Sequence, residues 1–316
     1  MSPRVTVLIP SKNRPDCVQR LVKSIRQQDF SEPIEIIVVD DGSAPPLSIA
    51  DPDVRLLRNP QSTGACAARN RGFAAATGEF ILMFDDDTEL HDPSLVKRAV
   101  TLARSQPKFG AIGFRHLNTD GNPDPYQPAD SPVACQAACF FGYGVMLRTE
   151  AIRQIEGFVD NFGYGYEEQD LCLQLHDAGW LVMFAPSLTL LHHHDPRGRN
   201  WKRIHRLITR NAIWSTMIRF PLVAIVPCIA WRWTMFVWSS RSLIGSTDWS
   251  GALWLITSTL GYLPYAVRNR SAISFKTMIR FRKLRNEPEP IESADLDLLD
   301  EDVEELETQC TISASS

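Results

Sequence analysis

The chain has 316 residues, 44% of them apolar and 22% charged, with a formal net charge of −4. That much apolar chain can bury a large core, so a wholly disordered or collagen-like protein is excluded. The small net charge hides a block pattern, because residues 201–286 carry 14 basic residues against the single Asp248, and from Glu287 onward there are 11 acidic residues and no Lys or Arg. Such segregation usually meets a charged partner or solvent.

Val5–Ile9 is a short apolar run that predicts a first strand, stopped by Pro10-Ser11-Lys12-Asn13-Arg14-Pro15. With no signal peptide read ahead of it, and with seven cysteines in no framework spacing, reduced thiols in a cytosolic protein are expected. Val18, Leu21, Val22 and Ile25 then fall at helical spacing behind Pro15. Ile34–Val39 is a second strand, ended by Asp40-Asp41-Gly42-Ser43, and Val54–Leu57 a third. The Ala-rich stretch Gly64–Ala76 predicts a helix, and Phe80–Phe84 a strand running into Asp85-Asp86-Asp87. Continuous apolar strands alternating with helices imply an α/β protein with a mostly parallel central sheet, covered by helices on both faces. Further on, Ala138–Leu147 reads as a buried strand, and Thr149 as the cap of a short helix Glu150–Ile155. A helix through Leu171 and Leu175 ends at Gly179, and Leu181–Ala185 and Thr189–Leu191 read as strands, the second delivering His192-His193-His194.

Ligands of open α/β sheets sit outside the carboxyl ends of the strands. Asn13, Asp40, Asp41 and Asp85–Asp87 all follow predicted strands, so they are expected to converge on one rim. Asp and Asn also cap helices and make turns in such places. Three successive carboxylates ask for more, since their repulsion must be offset by a cation or strong donors. Asp85, Asp86 and Asp87 offer hard oxygens suited to Mg2+ or Mn2+, and a nitrogen from His192 would favour Mn2+. Three adjacent histidines equally describe a surface tract. Glu167, Glu168 and Asp170 open a helix, where the macrodipole stabilises carboxylates. Behind Gly163-Tyr164-Gly165-Tyr166 they also describe a general base beside an aromatic wall, with a pKa raised by crowding or burial.

The runs Val-Thr-Val-Leu-Ile-Pro-Ser-Lys-Asn-Arg at 5–14, Ile-Ile-Val-Val-Asp-Asp-Gly-Ser at 36–43 and Gly-Ala-Cys-Ala-Ala-Arg-Asn-Arg-Gly at 64–72 together resemble the family 2 glycosyltransferases of GT-A fold, of rhamnosyltransferase-like bacterial type. Gly-Glu-Phe-Ile-Leu-Met-Phe-Asp-Asp-Asp at 78–87, Glu-Glu-Gln-Asp-Leu-Cys-Leu-Gln-Leu at 167–175, and Pro186 followed by His192 extend the resemblance, which covers residues 4–215. It implies an inverting transferase that moves a sugar from a nucleotide-diphosphate-sugar donor to a hydroxyl of a glycan or lipid-linked acceptor, assisted by Mn2+ or Mg2+. It further implies that Pro10 and Asn13 border the nucleotide, that Asp40 or Asp41 contacts the base, and that Gly64 lets backbone approach. Asp86 would reach the ribose or diphosphate, while Asp85, Asp87 and His192 would hold the metal. Glu168 stands where the family usually has the Asp of a Glu-Asp pair, the base toward the acceptor, with Glu167 and Asp170 in reserve. Gln174 stands where the family often has Arg. The alternative is a non-catalytic nucleotide-sugar or glycan-binding protein on the same fold. A receiver domain leaves Asp85–Asp87 unexplained, and a dinucleotide-dependent oxidoreductase would need a Gly-rich turn after the first strand.

Residues 220–238 and 249–267 are apolar runs of 19, the first with only Arg232 as a charge and the second with none. Both reach the length of a spanning helix, and a hairpin with both ends cytoplasmic is one arrangement. Pro221, Pro227 and Pro264 interrupt the runs, while Trp231, Trp233, Trp238, Trp249 and Trp254 suit a membrane interface. The favoured arrangement has helices lying on the cytoplasmic leaflet, with Lys276, Arg280, Arg282, Lys283 and Arg285 on anionic lipid. Core packing or an oligomer contact is the third arrangement. The expected organisation is therefore a transferase domain over 1–215, a basic, Trp-rich, membrane-associated helical region over 216–286, and a flexible acidic tail over 287–316. In that tail Asp295–Glu307 has too little apolar surface to fold alone. No nucleic-acid partner is expected.

Overall fold

The apolar runs of the first half become parallel neighbours in one sheet. A computed structural model describes residues 4–193 and 200–291, so His194 and the acidic tail beyond Ile291 lie outside the described residues. Strands β1 (Val5–Ser11), β2 (Ile34–Asp41), β3 (Val54–Asn59) and β4 (Phe80–Phe84) alternate with helices α1 (Pro15–Arg26) and α2 (Ala65–Ala75). β1 lies between β2 and β4, and β3 pairs outside β2, all parallel. Parallel strands must be covered on both faces, which is why these runs are apolar at nearly every position.

Beyond β4 the sheet is mixed. The chain continues through β5 (Thr88–Glu89), α3 (Leu95–Ser105), β6 (Phe109–Leu117), β7 (Cys135–Gln136), β8 (Gly144–Arg148), α4 (Thr149–Arg153), a 3-10 turn at Asp160–Phe162, α5 (Glu167–Asp177) and β9 (Leu181–His192). The strand order is β10-β7-β9-β6-β8-β4-β1-β2-β3, where β10 is Glu289–Pro290. β8 runs antiparallel to both β4 and β6, while β6 and β9 are parallel. Of the buried strand expected over Ala138–Leu147 only the second part forms, because β8 starts at Gly144 after a turn at Phe141–Gly144. The two strands expected over 181–191 are one, β9, with a register shift between its Ala185 and Thr189 partners on β6. Pro186 falls in that irregularity, where a missing N–H costs no ladder bond. Thr149 does not cap α4; it is its first residue, and its hydroxyl donates to the Gly78 carbonyl at 2.7 Å.

Two cores form, one on each face of the sheet. Val5, Val7, Ile9, Ile36, Val38 and Leu82 pack with α1 and α3. Leu8, Ile37, Val39, Ile81 and Met83 face the opposite way, toward α2, α5 and four C-terminal helices. Those helices are α6 (Trp201–Arg219), α7 (Leu222–Ile244), α8 (Trp249–Arg268) and α9 (Phe275–Asn286). The boundary expected at 215/216 falls inside α6, whose Ile213, Met217 and Ile218 belong to the same core as α5. Pro227 and Pro264 sit inside α7 and α8 rather than ending them.

Candidate active site

The carboxyl ends of β1, β2 and β4, the N-terminus of α2, and the loop before α5 enclose one cleft of about 870 Å3. That volume is in the range of organic-ligand sites. Pro10, Asp41, Gly64, Asp85, Asp86, Asp87, Glu167, Glu168 and His192 line it. Asn13, Asp40 and Asp170 do not.

The strand-end geometry explains both outcomes. Asn13, at φ 59°, accepts from the Ala44 amide through Oδ1 at 2.9 Å, so its side chain ties two loops together. Asp40 is fully buried, accepting from the Ser43 and Leu47 amides and from Arg58. Asp41 accepts from Asn59, from the Ser62 and Thr63 hydroxyls, and from the Thr63 and Gly64 amides, at 2.7–2.9 Å. Partial burial works against its charge, but those donors outweigh it and hold the carboxyl down at about 2. Asp41 therefore shapes the loop that leads into α2. Gly64 stands at the head of that helix with φ 93°, a conformation that favours glycine, and a Cβ there would meet nothing within 4 Å.

Asp86 accepts from the Ser11 hydroxyl at 2.6 Å and from Arg14 Nη1 at 2.9 Å. The same Arg14 nitrogen reaches Asp87 Oδ2 at 2.9 Å, and His192 Nε2 lies 3.4 Å from Asp87 Oδ1. Burial raises the Asp86 carboxyl; for Asp87, the contacts from His192 and Arg14 overcome burial and hold it at about 2. Asp87 and His192 meet because β5 pairs with β9, bringing Thr88 opposite His192. Asp85 sits 2.8 Å from Arg69 Nη2 with its side chain 35% exposed. Two cleft-facing carboxylates and an imidazole are donors of a type that suits a divalent cation. Arg14 already places a positive charge where Asp86 and Asp87 require one.

Glu167 and Glu168 start α5 after a loop bent by Gly163, Gly165 and Tyr166, all at positive φ. Tyr166 is not glycine, and holding it at φ 72° costs about 1–2 kcal/mol. Its neighbours hold it there. Arg232 donates to the Tyr166 hydroxyl at 2.7 Å and lies over its ring, and Asn211 Nδ2 donates to the Phe162, Tyr164 and Gly165 carbonyls at 2.6–3.0 Å. Glu168 Oε1 accepts from the Gly142 amide at 3.1 Å. Buried Glu167 lies 3.6 Å from Arg69, and its Oε2 has no hydrogen-bond partner. Desolvation raises both carboxyls above the usual Glu range, and their mutual repulsion adds to this for Glu167. Asp170 points the other way, fully buried, accepting from Ser215 at 2.6 Å and paired with buried Arg219 at 3.2 Å. Gln174 bonds the Glu156 amide, the Gly157 carbonyl and Asp170, binding α5 to the preceding loop.

Residues 6–156 match the family model "Glycosyl transferase family 2". Residues 6–156, just under half of the chain, are thus similar to a glycosyl transferase family 2 domain. A pre-mycofactocin glycosyltransferase of Mycobacterium tuberculosis is 30% identical over 219 residues, covering 62% of this chain and 44% of the relative. The chain thus spans less than half the length of that relative. A GalNAc(5)-diNAcBac-PP-undecaprenol beta-1,3-glucosyltransferase of Campylobacter jejuni is 34% identical over 96 residues, 28% of this chain and 31% of the relative. Among solved structures, the mannosyltransferase PcManGT of Pyrobaculum calidifontis, in complex with GDP-Man and Mn2+, superposes with a TM-score of 0.54 at 18% identity, covering 90% of this chain and 86% of that one. The likeness establishes the GT-A fold.

Within the matched residues, Arg69 carries no mark of its own in the sequence, although it lies within one of the runs that carry the resemblance. Its buried guanidinium joins Asp85 to the Glu167–Glu168 pair. His116 and Asp124 also went unnoticed. His116 is fully buried on β6 with neither ring nitrogen hydrogen-bonded, and burial keeps it neutral, its pKa down at about 2. An unsatisfied buried polar group costs about 1–3 kcal/mol. No spacing in the chain marks these three, because only the sheet and the α2 packing bring them to the cleft.

Proposed function

We propose that the chain transfers a sugar from a nucleoside-diphosphate sugar to a hydroxyl of a glycan or lipid-linked acceptor, with inversion at the anomeric carbon. The observation that carries this reading is the single cleft holding Asp85–Asp87 and the α2 N-terminus together with Glu168 on α5. Pro10, Ser11 and the Asp41-organised loop border the nucleotide. The N-terminus of α2, beyond the Gly64 amide that Asp41 takes, favours the diphosphate through the helix dipole. Asp85, Asp87 and His192 hold a divalent cation, which when bound offsets the charge that builds on the leaving diphosphate. Glu168, held by the Gly142 amide, takes the proton from the acceptor hydroxyl as that oxygen attacks in line, opposite the departing diphosphate. Arg69 positions the Glu pair and Asp85 relative to one another. Tyr126, Tyr143 and Tyr164 give the sugar an aromatic wall.

A membrane-surface location fits a lipid-linked acceptor. Among the described residues one helix, Leu222–Ile244, is long and apolar enough to cross a membrane, with mean hydropathy 1.4 over its apolar window. Its single mid-helix charge, Arg232, turns inward to Thr216 and Tyr166. The outer face shows Leu222, Val223, Val226, Trp231 and Trp238, joined by Trp249, Leu253 and Leu260 of α8. A helix with one face spent on protein and the other apolar suits lying on a bilayer, with exposed Lys276, Arg282, Lys283 and Arg285 toward anionic headgroups.

The test is release of nucleoside diphosphate from a panel of nucleotide sugars with Mn2+, Mg2+ or EDTA, with membrane extract as acceptor source. Metal-dependent release from one donor is expected, abolished by Asp87→Ala and by Glu168→Gln, the latter keeping donor affinity. Wild-type turnover in Glu168→Gln removes the base assignment; silence across the panel leaves a nucleotide-sugar-binding protein.

A further inference from the structure

His116 lies on β6 in register with Leu190 of β9, two residues before His192, so the two imidazoles are diagonal neighbours at the cleft end of the sheet. The segment after β6 folds straight back. Asp124 N and Gln127 Nε2 donate to the His116 carbonyl at 3.0 and 2.8 Å, and the His116 amide donates to Gln127 Oε1 at 3.3 Å. These bonds bring the Asp124 carboxylate back to the His116 ring, and one ligand atom each from His116, Asp124 and His192 lies within 4.8 Å of the others. Tyr143 closes the ring of His116 from one side.

Two observations point to a ligand here. The three donors converge, and His116 is a fully buried imidazole with no hydrogen-bond partner at either nitrogen. Buried polar groups in native proteins find partners, or else serve an ion or a reaction. We propose that His116 and Asp124 join His192 as ligands of that same divalent ion, on the side away from Asp85 and Asp87, and that this set makes the cleft prefer Mn2+ over Mg2+. Two imidazole nitrogens and one carboxylate suit a borderline first-row ion, whereas Mg2+ demands an oxygen-rich octahedral shell and keeps its water. The ion's place at the diphosphate rests on the transferase reading; its binding does not.

The experiment is titration of metal-stripped full-length protein with Mn2+ alone, followed by the electron paramagnetic resonance of the free ion, and then competition with Mg2+. The variants are Asp124→Asn, in a surface loop whose backbone bonds it leaves intact, and His116→Leu, with thermal midpoints recorded for each. Wild type is expected to bind one Mn2+ without nucleotide, both variants to bind at least about tenfold more weakly, and a hundredfold excess of Mg2+ not to displace the ion. Wild-type affinity in both variants, or no Mn2+ bound by wild type, overturns the site. If the variants retain Mn2+ while donor is turned over, the transferase reading stands without this ligand set. If they lose Mn2+ while wild type turns over no donor on the panel, the site stands and the transferase reading falls.

Discussion

Glu168 carries the clearest residue-level consequence, because its charge is expensive where it sits. Burial raises the carboxyls of Glu167 and Glu168, so between the unfolded Glu value, about 4.3, and their native values the folded state binds more protons than the unfolded one. Stability therefore falls as pH rises through that window. Glu168→Gln removes one ionisation and relieves the repulsion on its neighbour. The variant is expected to match wild type near pH 5 and to exceed it at pH 8 by about 1 kcal/mol, a rise of about 2–4 °C in thermal midpoint. Differential scanning calorimetry at the two pH values checks this; equal midpoints at pH 8 would show that the pair carries no such penalty. Asp170, two residues along the same helix, faces away from the cleft and is paired with Arg219 and bonded to Ser215.

At the scale of elements, α6 decides how the loop before α5 is held. Its sequence shows no special motif at Asn211, yet that side chain is fully buried and donates to three carbonyls of the Gly-Tyr-Gly-Tyr loop. Asn211→Leu leaves the Tyr164 and Gly165 carbonyls without that donor, while Phe162 keeps Arg210 Nη2 at 2.7 Å, at a cost of about 1–3 kcal/mol. Because Glu168 stands at the end of this loop, turnover is expected to fall about tenfold or more while donor affinity is kept. Steady-state kinetics beside a donor-binding titration separates the two effects, and a variant with unchanged turnover would show that α6 does not position the proposed base. The strand-end carboxylates were legible in the sequence, since each follows an apolar run that could only be a strand. The buttress was not, because Asn211 and Phe162 are far apart in the chain and meet only through helix packing.

For the whole molecule, the two faces of the sheet lead to different surroundings. One is sealed by α1 and α3, whereas the other carries α5 and then α6–α9, whose outermost helices expose an apolar, Trp-rich face beside basic residues. If that face rests on anionic lipid, the full chain is expected to co-sediment with phosphatidylglycerol vesicles and less with phosphatidylcholine alone. The double variant Trp231→Ser/Trp238→Ser should bind about tenfold more weakly, and about 0.5 M salt should weaken the basic contribution. Unchanged sedimentation of the variant would remove this face as the contact. The sequence suggested two apolar runs of spanning length, both interrupted by prolines. Among the described residues one helix, α7, meets the length and hydropathy of a membrane span, and its one central charge turns toward the protein.

Local chemistry by itself determined the alternation of strand and helix, a mostly parallel sheet, and the candidates Asp41, Asp85–Asp87, Glu167, Glu168 and His192 that line the cleft. Apolar runs, glycines and carboxylates act over a few residues, so their pattern is readable along the chain. Only the tertiary structure decided that β8 runs antiparallel, that Asp40, Asn13 and Asp170 point away from the cleft, and that Arg69, His116 and Asp124 point into it or beside it. Those outcomes depend on which strands pair and which helix faces meet, and burial and pairing act across the sheet between residues that carry no mark of one another in sequence.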